Sequence, residues 1–373
     1  MRLSYTIDDR DNQTPRNVYA EDHNSLATVG AASLSNLPFS YSHQTFTAEA
    51  GYRILPQTKV TLNDTYETTY RSYANTSLVT SNTITAKIRS QVFDDVFAAL
   101  SYSHQDRDAH NYNNNFTWHQ LGANDNEPAR FLMYFESSRK HDEVKASLDL
   151  SPMHNLSASM MVRYSNDSYP DTTYGLRNNH NLRVGPDINW QVTPSFSAHA
   201  YYNFQQLYYD QASVYESTTS GAAPAANQFV VPWSNKTTDS VHTAGLTLDW
   251  QAIPDVLKLS LEYNFSYGDT AYAMGDSVVF FGSTVTNSQI TQANINTTPL
   301  PDVTSTLHML SIHGEYTIRP NMTLLFGYAF ERFTYKDYAN GVSPVQYANI
   351  LLPGTLNPND SVHVVGAGIR VRF

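Results

Sequence analysis

The stretch DVLKLSLEYNFSYGD, residues 255–269, alternates almost without error. Leu257, Leu259, Leu261, Tyr263, Phe265 and Tyr267 share one face of an extended chain, and Lys258, Ser260, Glu262, Asn264 and Ser266 share the other. A side-chain period of two marks a strand with one apolar and one polar face. The same alternation sets Phe46, Ala48, Ala50, Tyr52 and Ile54 against Glu49 and Arg53, and Val144, Ala146, Leu148 and Leu150 against Lys145 and Asp149. It recurs in VFAALSYSH, LSASMMVRY and MTLLFGYAF, and more weakly over 79–92, 180–191, 195–207, 240–252 and 304–318. Together these segments predict about fourteen strands.

The connections predicted between them are of two kinds. Tight ones carry Pro, Asn or Asp, as in PQT (56–58), PMHN (152–155), VTPS (192–195), IPD (253–255) and RPN (319–321). Such residues preset φ or bond their own backbone, which favours turns. Long polar ones cover roughly 9–42, 106–141, 209–236, 269–302 and 337–359, with shorter members near 74–79 and 167–179. Strict alternation of short and long is the pattern of an up-and-down transmembrane barrel, with short periplasmic turns and long external loops.

Composition favours lipid as the solvent of the apolar face. Only 15% of residues are charged, against roughly 25% in soluble domains. There are 26 Tyr and 17 Phe, yet mean hydropathy is −0.42. A barrel with a wet bore and wet loops reconciles these values. No apolar run is long enough for a membrane-spanning helix. Trp190 and Trp250 stand at the same distance from their turns in INWQVTPS and LDWQAIPD, as one aromatic girdle would require; Tyr70, Tyr73, Tyr169, Tyr208, Tyr267 and Tyr335 are candidates for the other. The last strand, VHVVGAGIRVRF, alternates and ends on Phe373. The expected lipid face therefore includes Leu257, Leu259, Leu261, Tyr263, Phe265 and Phe373. The expected bore face carries Glu49, Arg53, Lys59, Lys87, Arg89, Lys145, Asp149, Arg163, Arg183, Asp187, His199, Asp249, Lys258, Glu262, Arg370 and Arg372, with both signs interspersed.

Chemistry narrows the function by exclusion. The absence of cysteine removes disulfides, thiolate metal sites and covalent haem attachment by C-x-x-C-H. No nucleophile elbow, phosphate loop or dinucleotide fingerprint is present, and no catalytic residue is expected. A formal charge of −11 argues against nucleic acid. Carboxylates in DDRDN (Asp8, Asp9, Asp11) and NDNEP (Asp125, Glu127) offer oxygen ligands to calcium, although their spacing is irregular.

Several of these stretches, in order along the chain, resemble the MtrB/PioB family of decahaem-associated outer-membrane proteins: LSYTIDDRDNQTPRNVY, AGYRILPQTKVTL, YSHQDRD, NDSYPDTTYGL and the Phe-terminated last strand. The resemblance implies an outer-membrane barrel that sheathes a periplasmic decahaem c-type cytochrome and docks it to an extracellular multihaem cytochrome, the haems belonging to the partners. Family members are commonly about twice this length, and many carry a C-x-x-C near the N-terminus that has no counterpart here. MRLSYTIDDR already alternates from Leu3 and has no secretory h-region, so residues 1–373 are expected to be one barrel segment, half of a barrel of about 28 strands. The competing expectation is a self-contained porin of about fourteen strands for small polar solutes.

Overall fold

The computed structural model describes residues 1–20, 33–113, 120–121, 131–216, 228–276, 279–281, 300–338, 346–347, 350–351 and 359–372. Fourteen strands form one antiparallel meander in which spatial order follows chain order. They are β1 (Arg2–Arg10), β2 (Tyr41–Leu55), β3 (Thr58–Arg71), β4 (Leu78–Phe93), β5 (Val96–His110), β6 (Arg139–Met153) and β7 (Leu156–Ser168). The remainder are β8 (Tyr174–Thr193), β9 (Phe196–Glu216), β10 (Gln228–Ile253), β11 (Leu257–Asp276), β12 (Val303–Arg319), β13 (Met322–Lys336) and β14 (Asp360–Val371). Among the described residues β1 pairs only with β2 and β14 only with β13, so the sheet does not close on itself.

One end of the sheet carries turns of two or three residues: 56–57, 94–95, 154–155, 194–195, 254–256 and 320–321. The last-but-one holds Asp255 at φ 61°, a left-handed position that Asp tolerates and that a three-residue hairpin loop needs. All longer connections lie at the other end, as the alternation of loop lengths predicts.

The strands overrun two of the expected loops. β9 continues to Glu216 and β10 begins at Gln228, inside the predicted 209–236 connection; β11 runs to Asp276, inside 269–302. Residues such as YYDQASVYE pair fully across β9 and β10 but do not alternate. Alternation signals a difference between the two sides of a sheet. Where both sides are polar, a strand persists without it.

The register assigns every side chain to a face. Cross-strand partners share a face, so the chain of partners Trp250–Phe196, Trp250–Leu259 and Leu259–Gly314 marks the apolar side. That side is open: Tyr52 is 72% exposed and Leu100 51%, with many other large apolar residues alongside. Buried apolar side chains are few among the described residues: Ala74, Val79, Leu132, Tyr169, Leu176 and Ala212. The chain thus keeps its apolar surface outside itself, which a water-soluble fold rarely does on this scale.

Candidate functional site

The register puts fifteen of the sixteen charged or ionisable residues expected to share a face on one face. Glu49 and Arg53 on β2 register with Lys59 and its neighbours on β3, then with Lys87 and Arg89 on β4. The same parity carries through Lys145 and Asp149 on β6, Arg163 on β7, Arg183 and Asp187 on β8, His199 on β9, Asp249 on β10, and Lys258 and Glu262 on β11. Arg370 follows on β14 opposite Thr323. Arg372 lies just past the strand, where its backbone N–H donates to Asn321 O at 2.9 Å. Leu257, Leu259, Leu261, Tyr263 and Phe265 take the opposite face. Trp190 and Trp250 sit on that apolar face at the short-turn end. Phe373 lies outside the described residues.

Both signs are interspersed on the polar face, with one local cluster of cations. Arg53 is the direct partner of Lys59, and Lys59 of Arg89; Lys87 lies opposite Thr61. These four cations gather near the short-turn end of β2–β4, and none makes an ion pair among the described residues. Arg89 instead lies 6.0 Å from the centre of the Phe97 ring. Further along the sheet both signs occur and several of the charges are paired. Glu143, nearly buried, accepts from Lys145 Nζ at 2.7 Å and from Arg163 Nε at 2.7 Å. Asp187 lies 2.7 Å from His199 Nε2, and Glu315 lies 3.3 Å from Arg370. Tyr201 donates to Asn264 at 2.8 Å across Gly245, where a Cβ would strike the Tyr201 ring; Asn264 in turn donates to Glu262 at 2.7 Å. The cation cluster depends on which strands neighbour which, and residue types read one strand at a time do not carry it.

A second feature lies at the long-loop end. The segment 131–138 folds back so that Phe131–Leu132 pairs in parallel with Tyr174–Gly175. Gly175 has φ +114°, and a Cβ there would lie 2.6 Å from Leu132 O, so only glycine allows this approach. Arg107 donates to Ser137 O at 2.9 Å and to Tyr134 O at 2.5 Å. Glu136, 4% exposed, accepts the Asn75 N–H at 2.7 Å, beside a fully buried Thr76. Burial pushes the Glu136 carboxyl above its ordinary range, against the lowering effect of the Asn75 and Thr76 N–H groups. Tyr169, also buried here, has its phenol raised chiefly by desolvation.

Of the six candidate girdle tyrosines, Tyr70, Tyr208 and Tyr267 lie on the apolar face and the other three do not. Tyr169 belongs to this loop knot, Tyr73 to a loop at φ 53°, and Tyr335 to the polar face, where it donates to Asp337 at 2.9 Å. The apolar face also carries Tyr102, Tyr164, Tyr202, Tyr263 and Tyr328, each facing a polar side chain on the next strand. The recurring Y-x-F at 202–204, 263–265 and 328–330 was the sequence signal for three of them.

Calcium ligation gains no support from the described loop carboxylates. Asp8 accepts from the Tyr41 hydroxyl at 3.1 Å and Asp11 from Gln13 at 3.1 Å, and no group of three or more metal-ligating side chains occurs among the described residues. Asp125 and Glu127 lie outside them.

The family model described as "Putative outer membrane beta-barrel porin, MtrB/PioB" matches residues 2–373. "Outer membrane protein MtrB" of Shewanella baltica (strain OS185) is 23% identical over 341 residues, which is 91% of this chain and 44% of that protein. The chain therefore spans less than half the length of that relative. Among solved structures, the FrpB iron transporter from Neisseria meningitidis covers 90% of this chain and 57% of its own at 7% identity and a TM-score of 0.36. The ferric-catecholate import receptor Fiu of E. coli K12 covers 99% and 79% at 10% identity and a TM-score of 0.33. With the family match running the length of the chain, this protein is a member of the MtrB/PioB family of porin-like β-barrels and a protein of the bacterial outer membrane.

Proposed function

We propose that the apolar face of this sheet meets hydrocarbon, that the polar face lines an aqueous bore, and that the bore sheathes a periplasmic multihaem c-type cytochrome. In this reading the cytochrome's haems pass electrons across the outer membrane, to or from an extracellular multihaem partner. The barrel supplies a wall, a dielectric boundary and an orienting surface.

The observation that carries the reading is the open meander: fourteen strands gather their expected bore charges on one face, and among the described residues β1 and β14 leave their outer edges unpaired. Unpaired backbone at a sheet edge is not tolerated in hydrocarbon. Further strands would have to complete the wall, and bore diameter grows with strand number; about 22 strands already hold a folded plug. A self-contained porin of fourteen strands would need the missing β1–β14 pairing. The unpaired cations of β2–β4 add a surface suited to carboxylates, including haem propionates, on a protein held within the bore.

The test is affinity capture of the full-length protein from native outer membranes, followed by haem staining. Recovery of a c-type cytochrome in stoichiometric amount is expected, with loss of most of it in R53Q/K59Q/K87Q/R89Q at equal barrel recovery. A haem-free protein that conducts ions alone in planar bilayers would overturn the sheath in favour of the porin.

A further inference from the structure

On the apolar face, three successive hairpins repeat one arrangement. A Tyr hydroxyl lies against Nδ1 of a His on the next strand: Tyr202–His242 at 2.7 Å, Tyr263–His308 at 2.9 Å and Tyr328–His363 at 2.9 Å. A Phe two residues beyond each Tyr registers directly with the same His, its ring centre 4.8–5.1 Å away. Each hairpin steps the couple by two residues relative to the hydrogen-bonded rows. His242 is opposite Tyr267, whereas His308 is opposite Phe265. Tilted strands produce this stagger, so the couples run level around the sheet.

Their height is set by the chain. From His242 to Trp250 is eight residue steps, roughly 27 Å along a strand and about 21 Å along the membrane normal at the usual tilt. With Trp190 and Trp250 at the short-turn boundary, the couples occupy the opposite boundary of the apolar band, under the long loops.

Each couple retains one donor that it does not use internally. If the phenol donates to Nδ1, the imidazole keeps its proton on Nε2; if Nδ1–H donates to the phenol oxygen, the hydroxyl hydrogen is free. The β5–β6 hairpin shows what such donors bind. There Asp142 stands where the later hairpins have His, accepting from the Tyr102 hydroxyl at 2.6 Å and lying 2.8 Å from His104 Nδ1. That hairpin supplies its own anion. In the C-terminal hairpins the carboxylate is gone, and a cation has arrived: Arg332 is the direct cross-strand partner of His308, is exposed, and makes no ion pair among the described residues. The carboxylate next above on this face, Asp269, shares its row with Lys336 through Thr304.

We infer that His308, Arg332 and His363, with Tyr263 and Tyr328 behind the imidazoles, form a binding site for the phosphate of an outer-leaflet lipid headgroup. The site fixes the height and rotation of the barrel in the membrane. The inference rests on the reading that the apolar face meets lipid.

The test uses the full-length protein, delipidated in dodecyl maltoside and titrated with diphosphorylated or dephosphorylated lipid A. Diphosphorylated lipid is expected to raise the unfolding midpoint by about 2–4 °C more than its dephosphorylated counterpart. The preference should vanish in H308F/R332Q/H363F and survive in H308Q/H363Q, where the Gln amide replaces the imidazole N–H. Should the triple variant fail to insert, Y263F/Y328F provides the gentler version and should weaken the preference. Equal shifts with the two lipids, or a preference that persists in the triple variant, would overturn the site. A nitroxide at Leu310→Cys separates the two failures. A water signal there sinks the lipid-facing reading, whereas a hydrocarbon signal with no lipid preference sinks only the phosphate site.

Discussion

Leu261 and Glu262 are neighbours in the chain and opposites in environment. Leu261 registers with Leu248 and Ile312 on a face that the protein leaves uncovered; Glu262 registers with Thr247 and Ser311 on a face laced with hydrogen bonds. Nothing in the backbone distinguishes the two positions. What differs is the solvent each side selects, and a one-residue slip of register would exchange every such pair. Stability on the apolar side comes from excluding charge, and on the polar side from matching it. The same substitution should therefore have unequal effects on adjacent residues.

The largest effect is expected from Leu261→Arg. A cation in mid-bilayer on a lipid face costs about 2–4 kcal/mol, read as the midpoint of reversible denaturant unfolding from vesicles. Glu262→Arg, one position away, should stay within about 1 kcal/mol because water reaches the polar wall. Equal costs would erase the distinction between faces. Next in size is Glu143→Ala, which strands Lys145 and Arg163 on the polar face; a loss of about 1–3 kcal/mol is expected in the same assay. Removing all three, as E143A/K145A/R163A, should recover part of it.

A smaller effect belongs to the loop knot, where neither face applies. Burial raises the Glu136 carboxyl, so the fold favours its protonated form. The sign follows from linkage: the knot is most stable below the ordinary glutamate range and loses stability as pH rises through the window up to the raised value, then levels off. Protease cleavage within 131–138 should accelerate across that window, and Glu136→Gln should flatten the dependence.

The sheet was legible in the sequence because two unlike solvents imprint a period of two. The shared face of fifteen charged residues followed from parity alone, and the short turns from their Pro, Asn and Asp. Legibility failed where that contrast disappears: β9, β10 and β11 extend beyond the apolar band, and YYDQASVYE reads as loop although it pairs throughout. It failed again for features made by neighbours in space. The cation cluster of Arg53, Lys59, Lys87 and Arg89 needs the register of β2–β4. Two of the runs that carried the family resemblance contribute to the loop knot: Tyr169, Gly175 and Leu176 of NDSYPDTTYGL, and Arg107 of YSHQDRD. Asn12 of DDRDNQTP closes a local turn by accepting from the Thr14 N–H at 3.1 Å and is itself tied to Ser40.

The central claim is that one side of the sheet contacts hydrocarbon and the other water, and the cysteine-free chain permits a direct test. Single cysteines at successive positions 257–267, each carrying a nitroxide, are compared in vesicles for collision with oxygen and with a water-soluble nickel chelate. Oxygen should dominate at 257, 259, 261, 263, 265 and 267 and nickel at the positions between them, with period two throughout. Labels at 259 and 261 that are shielded from both reagents, or that favour nickel, would contradict it.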